Sequence, residues 1–116
     1  MLRVNNKQLD IMSIALKDQF IRETVKDLPV YYPEWTESIG APHLKDFVET
    51  LFSFAHKNSF FETDHILDLI HWDINYKLLD RLKKDIALQN IISNKLKSDK
   101  HRMSDLKIYF IKHINN

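Results

Sequence analysis

The sequence predicts an all-α fold, a single-domain bundle of about five helices over residues 1–116. Three observations point there. Apolar residues recur at helical spacing along most of the chain, so one face of each segment can be buried. One glycine and three prolines are too few for a turn-rich β fold. Apolar residues at 44% against charged residues at 28% suit a chain that buries a core rather than one that stays disordered, and the length suits one domain.

The first helix is expected from Lys7 to Leu28, with Leu9, Met12, Leu16 and Phe20 one turn apart and Val25 and Leu28 continuing the stripe. Asn5 or Asn6 can cap it by accepting a first-turn amide, and Pro29, which has no N–H, should stop it. Between Pro29 and His43 lie all the prolines and the glycine, so regular structure must break there. Within this connector a short helix is expected from Pro33 to Ile39. Pro33 suits a first helical position, Glu34 and Glu37 favour the positive end of a helix dipole, and Gly40 can turn left-handed to end it, with Pro42 beyond.

The next helix should run from His43 to Lys57, burying Leu44, Phe47, Val48, Leu51 and Ala55, with Phe52 and Phe54 widening the arc. After a turn over Asn58 to Glu62, Thr63 is the predicted N-cap of a helix starting near Asp64 that turns Ile66, Leu67, Ile70 and Ile74 inward. From Tyr76 onward Leu78, Leu79, Leu82, Ile86, Ile91, Ile92 and Leu96 keep a helical period, with no Gly or Pro to decide between one helix and two. Ser98 to Met103 is polar. Ser104 is expected to cap a last helix through Ile114, burying Met103, Leu106, Phe110 and Ile114.

Composition also narrows function. With no cysteine there is no disulfide framework, thiolate nucleophile or Cys-ligated metal, which fits a reducing compartment. No apolar run approaches the roughly 20 residues of a membrane span, and the first residues lack a signal-peptide apolar segment, so a cytoplasmic protein without membrane association is expected. The formal net charge of +1 hides an asymmetry. Residues 1–80 hold 8 Lys/Arg and 13 Asp/Glu, a balance of −5, and residues 81–116 hold 9 and 3, a balance of +6. Such a split can mark a nucleic-acid surface, an acidic protein partner, or two halves of one domain neutralising each other.

Asp64, Asp68 and His71 fall at i, i+4 and i+7, so one helix face could offer two carboxylates and an imidazole to a cation, or simply a solvated face. The solvated face is favoured, and no metal or cofactor is expected. His43, His56, His65, His71, His101 and His113 fall in no ligand-spaced or nucleophile–base motif, and phosphate-cradling glycine loops are absent, so no enzymatic activity is expected. Tyr31, Tyr32 and Trp35 cluster in the proline-bearing connector, where they can anchor an interface or lid the core. Trp72 beside His71 has the same two roles open to it. The candidate partner-binding residues are therefore Tyr31, Tyr32, Trp35, Asp64, Asp68, His71 and Trp72.

A resemblance joins these elements. Gln8-Leu9 opening a helix, Phe20 within it, Tyr32-Pro33, Ile39-Gly40, Leu44 with Phe47-Val48, then Ala55, Phe61 and Thr63 resemble small helical proteins encoded beside bacterial type VI secretion effectors and spike components. The likeness spans roughly residues 4–72; Ser59 stands where the family's glycine would precede the third helix. The resemblance implies a non-catalytic adaptor or chaperone bound to a secreted effector or spike. The alternatives are an immunity protein that occludes a cognate toxin, favoured if the acidic face of residues 62–73 meets a basic nuclease, and nucleic-acid binding by the basic C-terminal segment.

Overall fold

Pro33, not Pro29, ends the first helix. In the computed structural model, which describes residues 6–114 and the side chains of residues 15–113, α1 (Asn6–Tyr31) carries Pro29 in its last turn. There the missing N–H forfeits one bond, but the next turn still closes, with the Tyr32 amide donating to the Leu28 carbonyl at 2.7 Å. Tyr32 leaves the helical region, at φ −134° and ψ 63°, because the ring of a following proline disfavours it. Pro33 then opens α2 (Pro33–Ile39), as expected.

Gly40 ends α2 at φ 88° and ψ 133°. Its φ is positive as predicted, but its ψ lies far from the left-handed helical value, so the chain leaves extended. A 3₁₀ turn (Ala41–His43) leads into α3 (Leu44–Lys57), so His43 stands just before the helix it was expected to open. Then follow α4 (Thr63–Tyr76), α5 (Leu78–Leu82), α6 (Ile86–Ser93) and α7 (Asp99–Ile114). Among the described residues there are seven α-helices and no strand. The fold is all-α, with seven helices where about five were expected.

Two compact units divide the chain, Met1–Thr50 and Leu51–Asn116. In the first, α2 packs on α1, and Phe20, Ile21, Thr24 and Leu28 form the buried stripe of α1. Leu16, expected on that stripe, is 63% exposed because it lies one turn before the buried stretch. The cap at Asn5 and the side chains of Leu9, Met12 and Ile114 lie outside the described residues.

The second unit is built on its helix ends. At the end of α3 the Ser59 amide donates to His56 and the Phe60 amide to Ala55, the paired bonds of a Schellman turn. That geometry needs a left-handed residue at Ser59, which has φ 64°. Phe60 and Ala55, the pair this turn brings together, are fully buried. The N-cap of α4 is Glu62, and Thr63 is its first helical residue, one position from expectation; no side chain caps this end. Lys77 ends α4 in the left-handed conformation, φ 55° and ψ 54°, with its amide on the Asp73 carbonyl at 2.9 Å. The Asp73 carboxylate then accepts the Leu79 amide at 2.9 Å and starts α5.

Asp85 caps α6 through the Leu88 amide at 3.2 Å, so the stretch after Tyr76 is two helices. Leu78, Leu88 and Ile92 are buried, whereas Leu96 lies in the loop beyond α6 and is 99% exposed. The last helix starts at Asp99 rather than after Ser104, because the Ser98 hydroxyl accepts the His101 amide at 3.1 Å and caps it there. Starting a turn and a half earlier, α7 buries Arg102 and Tyr109 along with the expected Met103, Leu106 and Phe110.

Candidate functional site

The connector aromatics sit in three different environments. Tyr31 closes α1 with 70% of its surface exposed, next to Val30 at 75%. Tyr32 is half-buried at the corner between α1 and α2. Trp35 is half-buried in α2, its ring edge-on to Phe47 with centroids 4.7 Å apart at 64°. Thus Trp35 is held by a ring contact while keeping an open face, and Tyr31 projects outward. A part-exposed Trp held against a ring, four residues on from an exposed Tyr, is the composition of an interface anchor.

On α4, Asp64 and Asp68 are exposed while His71 and Trp72 are half-buried. Trp72 packs on Phe110 of α7, with centroids 5.3 Å apart at 34°, and Tyr76 stacks on the same ring at 5.3 Å. Trp72 therefore serves the packing of α4 on α7. Among the described residues, Asp64, Asp68 and His71 form no group of converging ligand atoms; the group that does is Glu62, His65 and Asp99, whose donor atoms lie within 4.8 Å of one another. Its third member comes from α7, so no spacing within one helix reveals it.

In that trio the His65 side chain is only 13% exposed. Its Nε2 lies 3.5 Å from Glu62 Oε2 and its Nδ1 3.5 Å from Asp99 Oδ2. The Nδ1 atom is buried without a hydrogen-bond partner. The two carboxylates bracket opposite ring nitrogens, whereas a single ion can take only one of them, so the arrangement suits a flanked imidazole better than a metal cage.

Arg102, within the stretch Ser98 to Met103 that reads as polar in the sequence, is 2% exposed. Its Nη1 donates to the carbonyls of Asn58 at 2.7 Å and Ile92 at 2.6 Å, and its Nη2 to Ser59 at 3.2 Å. The guanidinium lies 4.1 Å from the Phe60 ring centroid. Burial lowers its pKa, and neighbouring Asp99 opposes that shift. The Tyr109 hydroxyl donates to Asp85 at 2.5 Å; that bond holds the Asp85 carboxyl below its ordinary range, and burial together with the same bond raises the Tyr109 phenol. Burial raises Asp73, against the Leu79 amide bond. Asp73, Asp85 and Arg102 each serve a helix end or a turn, and Tyr109 acts through Asp85.

No protein family model, curated protein or solved structure matches the chain. Among the described residues, no helix is long and apolar enough to cross a membrane.

Proposed function

We propose that the protein is a non-catalytic protein-binding module that attaches to a type VI secretion effector or spike as an adaptor or chaperone. The observation that carries the protein-binding reading is the anchor of Val30, Tyr31 and Trp35, which leaves large apolar and aromatic surface open at the end of α1 while Phe47 fixes the tryptophan. Tyr and Trp bury much area on binding for little lost rotamer freedom. The secretion assignment rests on the resemblance of residues 4–72.

The exposed carboxylates of Asp64 and Asp68 support a second reading, an immunity protein whose acidic α4 face meets a basic toxin. Co-purification of the tagged protein from its native host, with the genes beside its own identified, tests both. Recovery of a neighbouring effector or spike component supports the adaptor, and recovery of a toxin whose activity is lost on binding supports immunity. Recovery of neither with the chain intact overturns both. Trp35→Ala should reduce capture at least tenfold with a smaller effect on thermal stability; the reverse ordering makes this ring a core lid.

A further inference from the structure

Apolar surface and uncompensated positive charge coincide on the α6–α7 face of the second unit. On α7, Ile108 and Ile111 are 49% and 51% exposed, with Lys107 and Lys112 exposed beside them. A shallow groove of about 330 Å³ is lined by Ile91 from α6, Lys97 from the loop, and Ile108, Tyr109, Lys112 and His113 from α7, the Tyr109 ring being buried at 5% exposure. Its carboxylate, Asp105, is paired with Lys97 at 2.9 Å.

Charge decides what could cover this surface. Residues 81–116 hold 9 Lys/Arg against 3 Asp/Glu, and all three carboxylates are engaged: Asp85 caps α6, Asp99 faces His65, and Asp105 pairs with Lys97. Lys107 and Lys112 enter no ion pair among the described residues. The arginines of this stretch are spent internally, Arg102 on three carbonyls and Arg81 on the Tyr76 carbonyl at 2.7 Å. On this face of α7 the outward cations are thus two lysines, Lys107 and Lys112, set beside Ile108 and Ile111. A nucleic-acid strand favours arginine forks and aromatic platforms on which bases stack, whereas aliphatic side chains flanked by ammonium groups match an amphipathic helix with acidic borders.

We propose that the α6–α7 face docks an acidic amphipathic helix of a partner protein, its apolar stripe on Ile91, Ile108 and Ile111 and its carboxylates on Lys107 and Lys112. The proposal rests on the protein-binding reading and assigns it a second surface with a defined partner chemistry.

The test is selection of a displayed library of random 16-residue peptides on the full chain, a length matched to the 16 residues and about 24 Å of α7. Enriched sequences are expected to carry aliphatic or Phe residues one turn apart, bordered by Asp and Glu. They should bind the Lys107→Glu/Lys112→Glu and Ile108→Ser variants at least tenfold more weakly, with circular dichroism and melting temperature unchanged. Binding to Trp35→Ala should match the parent. Failure to enrich any peptide, enrichment without acidic borders, or undiminished binding to the charge-reversed variant overturns the proposal. Tighter binding of a 16-nucleotide single strand than of the best peptide overturns it in favour of nucleic acid. Peptides lost on Trp35→Ala alone retire this face while leaving the protein-binding reading in place.

Discussion

Arg102 fixes three backbone carbonyls with one side chain, two at the Asn58–Ser59 turn and one at Ile92. Replacing it by Leu keeps bulk but strands those acceptors, and a buried carbonyl without a donor costs about 1–3 kcal/mol. Arg102→Leu should therefore lose about 3 kcal/mol or more in urea unfolding; a loss below about 1 kcal/mol would mean that water replaces the guanidinium. Lys77 gives the opposite case. A side chain in the left-handed region is strained by roughly 1–2 kcal/mol, partly offset for glycine by its freer unfolded chain. Lys77→Gly should stabilise by about 0.5–1 kcal/mol in the same assay, because the exposed lysine contributes its backbone to the corner. Neither residue announces itself in sequence: Arg102 sits among polar neighbours, and Lys77 carries no glycine-like signature.

At the scale of elements, helix periodicity made most helices legible, while their ends depended on capping. Two prolines near the end of α1 compete to stop it. Pro29 lies inside the last turn, costs one bond and leaves Leu28 helical, whereas Tyr32 before Pro33 takes φ −134° and ψ 63° and the helix ends. Two serines compete to start α7, and the earlier one has its hydroxyl on the His101 amide. Ser59 takes the left-handed conformation that the Schellman turn needs whatever the side chain, one that glycine would adopt without steric cost. Of the candidate site, the Tyr31–Trp35 cluster was legible because prolines mark it in the sequence as the junction between two helices, and Tyr31 closes α1 while Trp35 lies in α2. The α6–α7 face was not, since Ile108 and Ile111 flank the buried stripe and only the helix rotation shows them exposed. Helix ends also govern the acid response. Asp85 has a lowered pKa in the fold, so its contribution is present above the ordinary value of 3.8 and is lost as pH falls through the lower folded value. Asp85→Asn should lower the melting temperature at pH 7, and its deficit should shrink in acid below that value. Asp73, raised by burial, works in the opposite sense, its contribution fading as pH rises through its folded value.

At the scale of the molecule, the single-domain expectation and the two compact units leave α3 as the element in which the division falls. Recognition depends on surfaces whose partner leaves no periodic trace in one chain, so the pattern that locates helices does not locate a docking face. The loop after α6 offers a sharper whole-molecule measurement. Lys95, Leu96 and Lys97 stand exposed between two helices, the kind of site where a protease cuts first. Brief trypsin treatment should yield two fragments on a denaturing gel that still elute together under native conditions. Separate elution would show that the guanidinium network and the packing of Phe110 cannot hold the last helix. If the pieces stay together, Arg102 acts as a non-covalent rivet across a severed chain, and α7 could be supplied as a separate synthetic peptide, labelled or chemically altered, to rebuild the second unit from two pieces.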